Sequence, residues 1–152
     1  MKPADLYHVG IVVDDFDETL AWFSATHGYR WCEPVAIDQL ITTPAGQQTL
    51  PMRIVYSVDE PRIEILQTIP GTIWVPADSG IHHLGYWSDD VDADVASLLA
   101  TGMELEATTP LPDGSTLFAY CHGPGRTRIE FVNRVMEPMI SEWFSQPAAS
   151  LT

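Results

Sequence analysis

Basic residues are scarce in this chain of 152 residues. Seven lysines and arginines stand against 21 aspartates and glutamates, which gives a formal net charge of −14 at pH 7. The basic side chains are scattered, so no cluster could neutralise a run of phosphates, and a nucleic-acid-binding or anionic-membrane-binding surface is not expected. The sole lysine, Lys2, stands outside any glycine-rich motif, which argues against Schiff-base chemistry and a P-loop.

Cysteines and long apolar runs are also few. The two cysteines, Cys32 and Cys121, belong to no C-x-x-C motif and are expected to be reduced and partly buried. The longest apolar runs are far shorter than a membrane span, and the first residues lack the apolar segment of a signal peptide. We therefore expect a cytoplasmic protein that does not associate with membranes.

What the chain does contain is enough apolar material for one folded domain. Hydrophobic residues make up 45% of the sequence, with five each of Trp, Tyr and Phe. This composition is typical of a globular protein, and the length favours a single domain over residues 1–152.

The sequence repeats itself. Residues 8–17 (HVGIVVDDFD) match residues 83–92 (HLGYWSDDVD) at an offset of 75 positions, and residues 62–66 (RIEIL) match 128–132 (RIEFV) at an offset of 66. Two matches in the same order predict an internal repeat. We predict one module over about 5–69, a linker over 70–79, a second module over about 80–134 and a C-terminal tail over 135–152.

Each module has the pattern of a strand, a helix and three further strands. Apolar residues at helical spacing follow an Asp-Asp pair that can cap the helix, and Gly28 and Gly102 stand where the helices should end. A further short helix is predicted over 137–144. The predicted strands cover 7–13, 29–37, 52–57 and 62–67 in the first module, and 81–87, 103–107, 117–122 and 128–133 in the second. These elements predict an α+β protein.

Alternation along the strands places two repeated polar residues on one face of the sheet in each module. His8 and His83 lie opposite the apolar residues that should pack on the helices, and Glu64 and Glu130 have the same orientation in the last strand of each module. Two imidazoles and two carboxylates suit one divalent ion of the zinc, nickel, cobalt, manganese or iron type. For any single residue, a hydrogen-bonded or solvated strand position would be the simpler explanation. The repetition of the whole set favours a metal site.

At these residues the sequence resembles the vicinal oxygen chelate superfamily, which includes glyoxalases, epimerases, extradiol dioxygenases and resistance proteins. The resemblance extends over about 6–133 and implies two tandem βαβββ modules that form a U-shaped mixed sheet around a cleft, with helices outside. It also implies that His8, Glu64, His83 and Glu130 hold the metal and that the protein is a homodimer. The ligand spacing resembles bacterial glyoxalase I, whereas residues 80–92 resemble methylmalonyl-CoA epimerase.

The resemblance implies a reaction in which two neighbouring substrate oxygens are chelated and a proton leaves the adjacent carbon through an enolate or enediolate. Glu130 is the expected base, and Glu64 serves mainly as a ligand. The substrate would be a small carbonyl or acyl compound, contacted by Arg53, Trp87 and Tyr120. The third strand of the first module has no acid over 47–56, so the second base of an epimerase would have to be Glu64.

Two alternatives remain open. One is an Fe(II) extradiol-type dioxygenase, which needs two histidines, one carboxylate and an acid–base His and Tyr, for which His122 and Tyr120 are the candidates. The other is a small-molecule-binding protein of the resistance type without turnover. The presence of four ligand-type residues favours the isomerase or lyase over both.

Overall fold

The computed structural model describes residues 1–148; residues 149–152, at the end of the predicted tail, lie outside the described part. Strands and helices form a mixed α+β fold. In chain order the elements are β1 (Leu6–Val13), α1 (Phe16–His27), β2 (Val35–Thr43), β3 (Gly46–Tyr56), β4 (Ile63–Gln67), β5 (His83–Ser88), α2 (Val91–Leu99), β6 (Glu104–Pro110), β7 (Thr116–His122), β8 (Ile129–Asn133) and α3 (Glu137–Phe144).

The helix boundaries follow the local sequence signals. Asp15 and Asp90, the second member of each Asp-Asp pair, are the N-caps of α1 and α2, and each carboxylate accepts a hydrogen bond from a backbone N–H of the first turn. Gly28 ends α1 with a φ of 76°, a left-handed conformation that glycine adopts without steric cost. The predicted helix over 137–144 is present as α3.

The second predicted strand, over 29–37, was partly wrong. Strand β2 begins at Val35 and continues to Thr43. Trp31 and Cys32 form only isolated bridges, to Ser57 and Pro147, and the Cys32 N–H donates a hydrogen bond to the Tyr56 carbonyl at 2.9 Å. Pro34 separates the two segments; because proline has no N–H to donate, it interrupts a strand ladder.

The chain divides into two compact units, each of which is made of three separate stretches of the chain. Unit one contains Met1–Tyr7, Asp38–Leu50 and His83–Glu137, and unit two contains His8–Ile37, Pro51–His82 and residues 138–148. The turn between β2 and β3 therefore belongs to the unit that holds β5 to β8.

Unit two is built around β1, β4 and the second half of β3. Strand β1 pairs in parallel with β4, and β4 pairs antiparallel with β3. Helix α1 packs on one face of these strands. The buried residues of this core are Phe16, Leu20, Trp31, Val55 and Ile65.

Unit one has the corresponding arrangement. Strand β5 pairs in parallel with β8, β8 pairs antiparallel with β7, and β6 pairs antiparallel with β7 and with β2. Helix α2 packs on this sheet. The core residues are Val91, Val95, Met103, Ala119, Cys121 and Phe131.

None of the helices in residues 1–148 combines the length and the apolar character needed to span a bilayer.

Candidate functional site

Unit two contains a buried histidine–glutamate pair. His8 on β1 is 2% exposed and Glu64 on β4 is 3% exposed, and Nε2 of the imidazole lies 3.4 Å from Oε2 of the carboxylate. The parallel register places Gly10 opposite Glu64. Because His8 and Gly10 share one face of the strand, this register puts the imidazole and the carboxylate on the same side of the sheet.

Unit one contains a second pair with the same geometry. His83 on β5 is fully buried and Glu130 on β8 is 5% exposed, and Nε2 lies 3.3 Å from Oε2. The register of β5 and β8 places Gly85 opposite Glu130. The repeated motifs thus form the same local arrangement in both units.

A tyrosine accompanies each pair. Tyr56 on β3 lies opposite Glu64 in the antiparallel register, and Tyr120 on β7 lies opposite Glu130 in the same way. The Tyr56 ring meets His8 edge-on with centroids 5.4 Å apart, and the Tyr120 ring meets His83 edge-on at 5.1 Å. Each imidazole is therefore positioned by an aromatic edge as well as by its own strand.

Tyr56 was not among the site residues predicted from the sequence, although Tyr120 was predicted as a substrate contact. Tyr56 is the residue of the first module that corresponds to Tyr120, so the repeat could have revealed it. Both tyrosines stand near the end of the strand that precedes the repeated Arg-Ile-Glu motif. The turns that follow them differ in length, which hides the match in a constant-offset comparison.

Arg53 does not lie with His8 and Glu64. Its guanidinium forms two hydrogen bonds with Asp17 of helix α1, at 2.8 and 3.1 Å, and lies over the ring of Phe16 at 4.1 Å. Arg53 and Val55 share the face of β3 that packs on the helix, whereas Tyr56 lies on the opposite face. The expectation of a substrate contact at Arg53 depended on the orientation of this strand, which the sequence did not define.

Trp87 lies on the same face of β5 as His83. It is buried and stacks on Tyr7 with ring centroids 3.8 Å apart and an angle of 11° between the ring planes. His82 points to the other face of the chain, as the sequence indicates, and its Nε2 lies 2.8 Å from the carbonyl oxygen of Ile73. Trp87 is thus near the second pair, whereas the His82 imidazole contacts a backbone carbonyl oxygen on the other face.

The C-terminal helix packs on the tyrosine of the first pair. The rings of Trp143 and Phe144 each meet Tyr56 edge-on at 5.2 Å. Nε1 of Trp143 donates a hydrogen bond to the Glu33 carbonyl at 3.0 Å, and the Arg62 guanidinium lies over the Phe144 ring at 3.8 Å. Helix α3 therefore belongs to the surroundings of the His8–Glu64 pair.

The chemistry of each pair fits a metal ion better than nucleophilic catalysis. Each pair offers one imidazole nitrogen and one carboxylate oxygen, the donor types that borderline divalent ions accept. A buried carboxylate is stable only with a nearby positive charge or strong hydrogen bonds, and a cation satisfies this need. The two thiols are poor nucleophiles, because burial raises the pKa of Cys32 and of Cys121 to about 11.

Comparison with known protein families gives a match over most of the chain. A family model described as the glyoxalase/bleomycin resistance protein/dioxygenase superfamily matches residues 7–120. Its span includes both members of the first pair, as well as His83 and Tyr120 of unit one.

Individual relatives are similar to this chain at low sequence identity. An uncharacterized protein of Bacillus subtilis, YwbC, is 26% identical over 129 residues, which cover 84% of this chain and 95% of that protein. A variant of the Streptomyces coelicolor methylmalonyl-CoA epimerase in complex with 2-nitronate-propionyl-CoA has a TM-score of 0.57 at 19% identity, covering 85% of this chain and 96% of that chain. A methylmalonyl-CoA epimerase in complex with methylmalonyl-CoA and ammonium also has a TM-score of 0.57 at 19% identity, with coverages of 85% and 93%.

Proposed function

The chain belongs to the glyoxalase/bleomycin resistance protein/dioxygenase superfamily, and on this premise we propose that it is a metal-dependent isomerase or lyase. It moves a proton on the carbon atom next to a carbonyl group. The observation that carries the proposal is the occurrence of the same buried His–Glu pair, with the same strand register, in both units. A pair that served only packing would have no need of the same ionisable residues twice.

In this proposal the two pairs jointly hold one divalent ion. His8, Glu64, His83 and Glu130 are all buried, and each offers a donor atom of a type that metal ions bind. Two carboxylates balance the charge of a divalent cation, and zinc, nickel, cobalt, manganese and iron all accept this donor set. When bound, such an ion would supply Lewis-acid stabilisation of the negative charge that develops on substrate oxygens.

Glu130 is the proposed catalytic base. Its carboxylate takes the proton from the substrate carbon, the C–H bond breaks, and the electron pair moves towards the carbonyl oxygen to give an enolate or enediolate. Delivery of this proton from Glu130 to the neighbouring carbon completes an isomerisation with no net loss of atoms, whereas its return to the original position only regenerates the substrate. Glu64 is proposed mainly as a ligand, and it is the candidate second base if the reaction is an epimerisation.

Tyr120 and Trp87 are the proposed substrate contacts. Tyr120 touches the imidazole of His83, and Trp87 lies on the same face of β5. Arg53 is not included, because its guanidinium is held by Asp17 on helix α1. The structural relatives bound to acyl thioesters support a small carbonyl or acyl substrate for this chain.

Hydrogen–deuterium exchange tests the proposal. The protein, either metal-loaded or treated with a chelator, is incubated in D₂O with acyl thioesters, α-hydroxyketones and hemithioacetals, and exchange at the carbon next to the carbonyl group is followed by NMR. We expect exchange of at least one substrate class by the metal-loaded protein and none by the chelated protein. Oxygen uptake with catechols and Fe²⁺, without any exchange, would instead identify the dioxygenase alternative.

A further inference from the structure

The six arginines are largely occupied within the chain itself. All seven basic residues lie within residues 1–148, so the structure accounts for the contacts of each arginine. Five of them form ion pairs with aspartates or glutamates of this chain. These are Arg30, Arg53, Arg62, Arg128 and Arg134.

Arg62 and Arg128, which are equivalent in the repeat, stand two residues before the two glutamates of the site. Contacts within the chain hold both guanidinium groups. Arg62 donates to the carbonyl oxygen of Ser57 at 2.6 Å and stacks on Phe144. Arg128 forms two hydrogen bonds with Glu106, at 2.6 and 3.1 Å. Both guanidinium groups are mostly buried, and neither can turn to a ligand without breaking these contacts.

The other ion-paired arginines are similarly engaged. Arg134 binds three carboxylates, those of Asp5, Asp89 and Glu137, at 2.7, 2.7 and 3.0 Å. The Arg30 guanidinium contacts both carboxylate oxygens of Asp59, and together with a hydrogen bond from the Arg30 backbone N–H it keeps the pKa of Asp59 below its usual value. Such bidentate pairs neutralise the charge that an anionic ligand would need.

Arg126 and Lys2 are the basic residues of the described chain without such a pair. Arg126 donates to the hydroxyl of Thr101 at 3.1 Å, in the turn between β7 and β8, and Lys2 is exposed at the N-terminus. A ligand with several phosphate charges would therefore meet at most scattered cations on a protein with a net charge of −14. At low salt, the summed field of such a protein repels an anion.

The surroundings of the two His–Glu pairs are apolar and aromatic instead. Leu66 and Val132 follow the two glutamates by two residues and so share their faces, and both are buried. Tyr56 and Tyr120 contact the two histidines, and Trp87 lies two residues beyond Gly85 on the same face of β5. Arg62 and Arg128 are the arginines described close to these pairs, and both are already ion-paired with Glu60 and Glu106.

From these contacts we infer that the substrate is a compact, phosphate-free carbonyl compound with an apolar or aromatic body, rather than a coenzyme A thioester. The inference depends on the proposed function for the reaction itself, but it concerns only the non-reacting part of the substrate. Binding energy for that part must come from burial of apolar surface and from contacts with aromatic rings, because the cations that would hold the nucleotide phosphates are bound elsewhere.

A matched pair of thioesters separates the acyl group from the nucleotide. Methylmalonyl-CoA and methylmalonyl-N-acetylcysteamine carry the same acyl group, and only the first carries phosphates. We expect kcat/KM for proton exchange to be at least as high with the truncated thioester, and a neutral aromatic α-hydroxyketone to compete with it. A preference of about tenfold or more for the coenzyme A thioester would overturn the inference.

Direct titration of free coenzyme A decides the inference even if no substrate reacts. Calorimetry with the metal-loaded protein, at about 50 mM and about 300 mM NaCl, should give Kd values above about 1 mM at both salts. A micromolar Kd that weakens as salt increases would overturn the inference, because it would reveal a cationic phosphate site. Absence of exchange with every substrate, despite a normal metal content, would contradict the proposed function and leave the result of this titration valid.

Arg126→Gln supplies the matched variant, since Arg126 is the arginine bound only to a hydroxyl. In this variant we expect kcat/KM for exchange of the truncated thioester and the Kd for coenzyme A to stay within about twofold of the wild-type values. The same is expected for Arg30→Gln on the surface. A tenfold loss confined to Arg126→Gln and to the coenzyme A thioester would show that this arginine binds the nucleotide, contrary to the inference.

Discussion

Glu64 and Glu130 occupy equivalent positions, although different roles are proposed for them. Each lies opposite a glycine on one neighbouring strand and opposite a tyrosine on the other, and each has an imidazole nitrogen within 3.4 Å. Local geometry alone therefore makes them equally good ligands. The difference in role must come from the position of the substrate, and single substitutions can measure it.

Replacement of each glutamate by glutamine should separate ligand from base. Glutamine retains an oxygen donor but cannot accept a proton, so Glu130→Gln should lower the rate of exchange by about 10²- to 10⁴-fold. Glu64→Gln should have a smaller effect on the rate. Exchange is followed by NMR in D₂O at a metal content measured for each variant.

The assignment of the base would be contradicted by a larger loss in Glu64→Gln than in Glu130→Gln at equal metal content. Equal losses in the two variants would indicate that both glutamates transfer protons, as in a two-base epimerase.

At the scale of elements, two aromatic residues of helix α3 contact unit two. Trp143 combines its contact with Tyr56 with a hydrogen bond to the Glu33 carbonyl, and Phe144 lies between Tyr56 and Arg62. The chain then pairs Pro147 with Cys32. These contacts attach residues 143–147 to the strands and side chains around Tyr56.

Trp143→Ala should lower the free energy of unfolding by about 2 kcal/mol, because it removes a half-buried indole and its hydrogen bond. Trp22→Ala is the matched control: Trp22 is 53% exposed on α1, and its loss should cost less than about 1 kcal/mol. Urea unfolding followed by circular dichroism measures both. Equal effects of the two substitutions would show that α3 does not contribute to stability as described.

Arg134 joins the first turn of the chain to the start of α3. It binds Asp5 and Asp89 as well as Glu137. A backbone hydrogen bond from Lys2, together with the hydrogen bond from Arg134, lowers the pKa of the Asp5 carboxyl below its usual value. A carboxyl group with a lowered pKa stabilises the folded state at pH values above its unfolded pKa, and this contribution is lost as the pH falls through the folded pKa.

Arg134→Met should therefore lower Tm at pH 7, and the difference from wild type should shrink as the pH is lowered to about 3, because part of the Asp5 carboxylate then becomes protonated. Arg126→Met, whose wild-type side chain contacts a hydroxyl, is the control and should show no such dependence on pH. Differential scanning calorimetry at the two pH values makes the comparison. A Tm deficit of Arg134→Met that is as large at pH 3 as at pH 7 would contradict the ion-pair account.

For the whole molecule, much of the element order could be predicted from the sequence because the repeat supplied each signal twice. The Asp-Asp pairs, the helix-ending Gly28 and the alternating faces around His8 and His83 are local features, and the structure has them where the patterns indicate. The division into units could not be predicted, because the pairing of β2 with β6 is a long-range contact.

Other features could not be predicted from the sequence, for reasons that are specific to single positions. Pro34 interrupted a strand that hydrophobicity alone made continuous, and the face of Arg53 depended on the register of β3 with β4. Tyr56 resembled an ordinary core residue until its contact with His8 was known. The homodimer and the cytoplasmic location stay predictions.

Metal stoichiometry tests the central claim, that both pairs hold one ion, most directly. The protein is purified without added metal, analysed by mass spectrometry for bound metals, stripped, and titrated with Co²⁺ under absorbance detection, alongside His8→Ala, His83→Ala and the surface control His27→Ala. We predict one ion per chain in the wild type and in His27→Ala, and a loss of affinity of at least about a hundredfold in each of the other two variants. Two ions per chain, or a His8→Ala protein that binds metal as tightly as the wild type, would contradict the account.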